Sequence, residues 1–215
     1  MWQAVWAVEK MPALPVRSAL YLRTERKRAE YGEKGENSVY ADAHRIRLRV
    51  SEELMDEVDH EVVHTEFVRA LFSSWVFAPE RMLLGLVRRI TSYDIPDATV
   101  KDIRACDFDD YPADKETYDF DHDGVAMFRL MERNDSPKEC ESLFSWNPKS
   151  LGLTWFATAR RPDGYDLYFG SGIEVTDAFY FNLAKQFHIC YARLLLAGAA
   201  AQIQHDHPAI TILDD

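Results

Sequence analysis

One stretch near the carboxyl end limits what this chain can become. From Glu174 to Ile203 it runs without a proline and with a single glycine, Gly198. Thr176 or Asp177 stands where an N-cap would accept the first free amides, so the stretch predicts one long helix. At about 100° per residue, Tyr180, Ala184, Phe187, Tyr191 and Leu195 share one side, while Asn182, Gln186 and Arg193 lie on the other. His188 falls within roughly 40° of the middle of the apolar side. About thirty helical residues span about 40 Å, more than a bundle of short elements needs. Such a rod suits a curved antiparallel sheet that wraps around it, the helix-grip arrangement.

The rest of the chain supplies strands for that sheet. Tyr40 to Val50, YADAHRIRLRV, places His44, Ile46, Leu48 and Val50 on one parity, which predicts a strand with one buried face. After Gly124 four more strands follow in VAMFRLMER, ECESLFSW, LGLTWFATARR and GYDLYFGSGIEV. The turn clusters Asn134 to Pro137, Asn147 to Ser150 and Pro162-Asp163-Gly164 separate them into a meander. Between the first strand and this meander, Ser51 caps an acidic helical run ending near Phe72, and Pro79 suits the first turn of a second helix. Met82, Leu83, Leu86, Val87 and Ile90 give that second helix its apolar stripe. Residues 94 to 123, rich in Asp, Pro and aromatics, predict loop, and HDHPAITILDD forms a tail. The fold class expected is α+β, with two helices inserted after the first strand.

With 215 residues and 47% hydrophobic content, the chain can bury one substantial core without dividing. Residues 1–38 read as an N-terminal arm packed on a body of residues 39–215. Mixed charges in RTERKRAEYGEKGENS suggest a solvated helix or arm leading to a turn, and Trp2 and Trp6 are placed to staple the arm to the body. The net charge of -11 argues against nucleic acid and anionic membrane surfaces as partners. Cys106, Cys140 and Cys190 show no CxxC spacing, as reduced thiols would. The N-terminus lacks the order of a signal peptide, and no run approaches the eighteen or so apolar residues of a membrane span. A cytoplasmic location is therefore expected.

Five segments together carry a resemblance. YADAHRIRL, ALFSSWVFAPERMLLGLVRRI, GVAMFRLMERNDSPKECESLFSW, TWFATARR and QFHICYARLLLAGA resemble, in order over residues 40 to 200, an uncharacterised family of the START and birch-pollen-allergen-like (SRPBCC) superfamily. The resemblance implies a helix-grip fold with a cavity between sheet and terminal helix. It implies no reaction, since superfamily relatives range from lipid carriers to polyketide cyclases. The Phe187-His188 pair falls where such relatives carry the same two residues.

His188 is accordingly the first candidate for chemistry. An imidazole lining an apolar cavity serves as acid or base near neutral pH, or orients a ligand by one hydrogen bond. The competing role is a core histidine bonded to a sheet carbonyl or a tyrosine. Tyr191 or Glu141 would partner it in cyclase-like or dehydratase-like catalysis. Trp155, Phe156, Tyr168, Tyr180 and Phe187 are candidates to line the pocket, with Arg129 and Arg160 as polar anchors. No cofactor is expected, and the partners expected are a small apolar or aromatic molecule and, as a further candidate, a second copy of the chain.

Two motifs offer alternatives. His60-Glu61-Val62-Val63-His64 spells HExxH, in which two His at i and i+4 ligate zinc and Glu activates water. Here Asp56, Glu57 and Asp59 precede it and no third-ligand motif follows, not even at Glu80. With Leu54, Met55, Val58 and Val62 clustered on one side of the wheel, both His are expected to face water. Asp119-Phe120-Asp121-His122-Asp123-Gly124 resembles the start of a calcium loop, with Asp107, Asp109 and Asp110 not far ahead. Its twelfth position is Leu130 rather than a bidentate Glu, so an acidic loop is the simpler reading. A metal-dependent hydrolase at HEVVH and a non-catalytic interaction module using Trp2 and Trp6 remain the rival functions.

Overall fold

The first long strand and the last one lie side by side, although more than a hundred residues separate them. In the computed structural model, which describes residues 2–32, 38–51, 55, 60–79, 82, 129–136, 138–147, 152–175 and 178–213, β2 (Ser38–Val50) runs antiparallel to β6 (Gly164–Val175) from Ser38↔Val175 to Arg49↔Gly164. The sheet continues through β5 (Gly152–Arg161), β4 (Glu139–Asn147) and β3 (Arg129–Asp135), all antiparallel neighbours. β1 (Glu9–Lys10) extends the other edge of β2, giving the order β1-β2-β6-β5-β4-β3. The long helix, α4, spans Ala178–Asp206 and starts four residues later than Glu174, because β6 keeps its ladder through Val175.

Four further elements complete the picture. α1 (Trp2–Ala7) packs against α4, where Arg193 donates to the carbonyls of Val5 at 3.3 Å and Val8 at 3.0 Å. α2 (Ala19–Gly32) covers the sheet on the side away from α4. α3 (His60–Ser73) packs beside α4, and β7 (Ile210–Ile212) pairs with Leu48–Val50. The tail thus closes on the first long strand, with the Leu213 amide donating to the Arg47 carbonyl at 3.0 Å.

Both faces of the sheet are covered, which explains why β5 is buried almost throughout instead of alternating. On the α4 side Ile46, Leu48, Phe144, Phe156, Leu167 and Phe169 meet Phe67, Leu71 and Phe72 of α3 and Leu195, Leu196 and Ala199 of α4. Phe156 stands edge-on or tilted to Phe67, Phe72, Phe144 and Phe169, with centroids 5.5 to 5.6 Å apart. Each such pair adds about 0.5–1.5 kcal/mol beyond its buried area. On the other side Ala19 and Leu20 of α2 sit on Ala43, Leu143, Leu153, Trp155 and Ala157.

Glycine sets the closeness of α2. A Cβ at Gly170 would lie 2.9 Å from Leu20 Cδ2 and 3.0 Å from Trp155 Cε3, so only a bare backbone admits the helix there. Gly164 closes the β5–β6 hairpin at φ 152°, a conformation L side chains rarely adopt. The first turn of α2 is doubly anchored. Ser18 Oγ accepts from the Tyr21 amide at 3.1 Å, and the Glu141 carboxylate accepts from the Ala19 amide at 3.1 Å.

The N-terminal segment is therefore more than a solvated arm. It contributes Ala4 and Val8 to one core and Ala19 and Leu20 to the other. Trp6 does not staple it: that side chain is 80% exposed, and the neighbours Ala4 and Val8 are the ones that bury. The Trp2 side chain, the second inserted helix beyond residue 82, and the acidic segments at 107–110 and 119–124 lie outside the described residues. Among the described residues no helix is long and apolar enough to cross a membrane.

Candidate functional site

The inward parity of β2 turns polar at one end. Ile46, Leu48 and Val50 face α3 and α4, and the same side of the strand continues through His44, Asp42 and Tyr40. Asp42 pairs across the ladder with Ser171 of β6, and His188 comes down on both from α4. His188 Nε2 lies 2.6 Å from Ser171 Oγ and 3.5 Å from Asp42 Oδ1. The Ser171 hydroxyl also reaches Asp42 Oδ1 at 3.3 Å, and the Tyr40 hydroxyl donates to Asp42 Oδ2 at 2.7 Å. Tyr40 stands edge-on to the imidazole, 6.3 Å between centroids, with the Lys185 ammonium 4.9 Å from the Tyr40 ring.

Burial and charge give these groups distinct states. Burial alone would push the Asp42 carboxyl up, but hydrogen bonds from His188 and Tyr40 outweigh it and hold it below the usual carboxylate range. Asp42 is thus an ionised carboxylate with only 5% of its surface exposed. The Tyr40 phenol is raised by burial and then by Asp42, so it stays a donor. His44 is fully buried, and burial brings its pKa down to about 4; Lys10, His188 and Arg193 act in the same direction against Asp42. The imidazole of His188, by contrast, keeps 37% of its side chain open to solvent. Among the described residues its polar contacts all run through Nε2.

The cluster contains Ser, His and Asp, yet not in the order acyl transfer requires. In a nucleophilic triad the carboxylate holds the ring nitrogen opposite the serine. Here Asp42 and Ser171 both approach Nε2. The arrangement is an imidazole–carboxylate pair steadied by two hydroxyls, suited to passing a proton at Nδ1.

The HEVVH pair sits elsewhere and does not face water. His60 is 3% and His64 1% exposed. His60 Nε2 bonds to the Thr158 carbonyl at 2.8 Å. His64 uses both nitrogens, Nδ1 with Thr158 Oγ1 at 3.0 Å and Nε2 with Ser142 Oγ at 2.8 Å. The expected orientation fails because the phase of the wheel rests on Leu54, Met55, Val58 and Val62, and Val62 is 52% exposed. Phe67, Val68 and Leu71 dominate the packing and bring His60 and His64 inward, leaving Val62 and Glu61 exposed. With both His64 nitrogens on hydroxyls and its pKa brought down to about 3 by burial, with Arg133 and His60 adding to this, it stays a neutral structural group. Among the described residues no three metal-ligating side chains gather.

The other candidates are dispersed. Trp155 and Tyr168 lie on the α2 side of the sheet, their rings 6.1 Å apart. Glu141 is there too, accepting from the Trp155 indole at 2.8 Å as well as capping α2, so the sheet separates it from His188. Phe156 is on the α4 side but wholly enclosed by other phenylalanines. Phe187 is 72% exposed and stacks on Tyr191, because the buried stripe of α4 runs through Ala192, Leu195, Leu196 and Ala199 rather than through Phe187. Tyr191, partly buried, follows His188 by one turn. Arg160 donates to the Met55 carbonyl at 2.9 Å. The side chains of Arg129 and Tyr180 lie outside the described residues. The residues that do surround His188, namely Tyr40, Asp42, His44 and Ser171, were missed. Their signal was present in YADAH, where three polar side chains occupy the buried parity of a strand.

No family model, curated protein or solved structure matches the chain. The geometry of the site therefore carries the functional reading alone.

Proposed function

We propose that the chain is a helix-grip domain of the SRPBCC kind that holds a small apolar or aromatic molecule between its sheet and α4. Acid/base chemistry of the cyclase or dehydratase type belongs to His188 in this reading. The topology supports the fold assignment: the first long strand joins the last, a helical insertion follows the first strand, and a meander leads into the long helix. One observation carries the function. A carboxylate, Asp42, is kept ionised inside the sheet–helix interface, and the imidazole it steadies through Nε2 keeps more than a third of its side chain exposed. Burying such a charge is costly unless it is used or fully paired, and perturbed acid/base pairs cluster at working sites.

In this scheme His188 Nδ1 takes a proton from the bound molecule or returns one to it. Asp42, reached through Nε2 and Ser171, stabilises the imidazolium while it exists, and Tyr40 fixes the carboxylate. Asp42, Ser171 and Tyr40 are positioning residues. The molecule enters as a flat apolar body with one polar group directed at the imidazole.

The test is isothermal titration of the purified chain with 2-naphthol, beside native mass spectrometry for any molecule carried through purification. A one-to-one complex weakened tenfold or more in His188→Ala, with the unfolding midpoint kept within a few degrees, is expected. Binding that ignores the substitution, or no binding and no carried molecule, sinks the reading.

A further inference from the structure

His44 lies at the inner end of the polar cluster without a hydrogen bond. It is fully buried, and neither Nδ1 nor Nε2 has a partner. A neutral ring so placed leaves one N–H and one lone pair unmet, whereas a protonated ring would bury a full cation among atoms that offer it no acceptor. The charges that face it come from three elements. β2 brings Asp42, which already accepts from Tyr40 and Ser171 and faces His188. β1 brings Lys10, opposite His44 in the ladder, and α4 brings His188 and Arg193. β6 sets the uncharged Phe169 opposite, and α1, WQAVWA, has nothing to titrate. One committed carboxylate thus stands against two permanent cations and a second imidazole. Burial above all keeps the ring neutral, with its pKa down at about 4.

The elements that cover His44 are lightly anchored at this level. The buried stripe of α4 begins at Ala192 and Leu195, and residues 185–191 before it are half-buried or exposed. Among the described residues their polar ties to the sheet are those of His188 to Ser171 and Asp42. α1 has six residues, and its segment is bonded to α4 by the two contacts from Arg193 to the Val5 and Val8 carbonyls. A segment with few buried apolar contacts opens at lower cost than the fold as a whole. We propose that His44 is an acid-sensitive latch: its protonation lifts α1 and residues 178–191 of α4 from β2 and carries His188 away from Asp42 and Ser171, while residues 195–203 stay seated on the sheet. The latch needs no bound molecule and so stands apart from the small-molecule reading. Opened to water, the ring takes a proton near its ordinary 6.5, whereas closed it refuses one until about pH 4. Closure is therefore at full strength above about 6.5 and weakens as pH falls toward about 4.

The experiment is amide hydrogen exchange on the full chain at pH 7, 6 and 5, read peptide by peptide and corrected for the intrinsic pH dependence of exchange, in the parent and in His44→Leu. Between pH 7 and 5 the opening constant of α1 and residues 178–191 should grow by about twentyfold more in the parent than in the variant. In the parent it should also exceed that of residues 195–203 by tenfold or more at each pH. Equal growth in the two proteins overturns the latch. So does a parent in which residues 178–191 and 195–203 open together, since His44 would then bear only on global stability. Should His44→Leu fail to fold, the parent decides alone through the nuclear magnetic resonance signals of the His44 ring. Those signals should stay neutral in the closed protein down to pH 5 while α1 and residues 178–191 lose protection. A ring that titrates near 6.5 with α4 still protected overturns the proposal.

Discussion

Replacing His64 with Gln tests whether the HEVVH histidines are structural, and the expected effect follows from proton counting. In the folded chain the His64 imidazole has a pKa of about 3 because burial excludes its charged form, whereas in the unfolded chain it titrates near 6.5. Below pH 6.5 the unfolded state therefore binds a proton that the folded state refuses. With more protons on the unfolded chain, stability rises with pH. The contribution is complete above about 6.5 and is lost progressively as pH falls toward about 3. Each pH unit inside that window is worth about 1.4 kcal/mol, and the whole of it about 5 kcal/mol. That is a large share of the roughly 5–15 kcal/mol that holds a domain folded. His64→Gln keeps a donor and an acceptor for Ser142 and Thr158 but has nothing to titrate. Urea unfolding at pH 7, 6, 5 and 4.5, followed by far-ultraviolet circular dichroism, gives the slope of stability against pH. The variant's slope should be shallower than the parent's by about 1.4 kcal/mol per pH unit between 6 and 4.5. Equal slopes would refute the neutral, hydroxyl-bonded assignment and return His64 to the list of groups free to ionise or to bind metal.

Two further substitutions probe the α2 side of the sheet. Glu141→Ala strips the acceptor from the buried Trp155 indole and from the first amide of α2, and should cost about 3 kcal/mol in chemical denaturation; a loss under 1 kcal/mol would mean α2 does not depend on that carboxylate. Gly170→Ala puts a Cβ 2.9 Å from the Asp42 carbonyl oxygen and from Leu20 Cδ2 and should destabilise by about 2 kcal/mol, whereas a gain from the lost glycine entropy would show that α2 stands off the strand in solution.

Much of the framework was legible in local pattern. Alternation marked β2, and β6 was read from Gly164 to Val175 as the ladder has it, since turn chemistry at Pro162-Asp163-Gly164 and a change of period bound it on either side. The long helix was clear because thirty residues without a breaker admit few other conformations. β7 was not legible: three residues of tail become a strand only because β2 leaves its edge open beyond β1. α2 was read as solvated because its charges are conspicuous, while the contacts that bury it are Leu20, Thr24 and two glycines on a distant strand.

Residue order alone determined that an antiparallel sheet would meet a long carboxyl-terminal helix, because hydrophobic period and chain breakers act within a few residues of themselves. Which side chains meet was decided by the tertiary structure. His188 finds Asp42 only because β2 and β6 pair in one register and α4 crosses them with one face down. His64 turns inward because two hydroxyls from β4 and β5 wait for it. Glu141 is kept from His188 by the sheet, for a one-residue change of parity moves a side chain to the opposite face. Polar groups cannot declare their partners locally; their placement depends on whether another strand or helix, far off in the chain, brings a matching donor or acceptor.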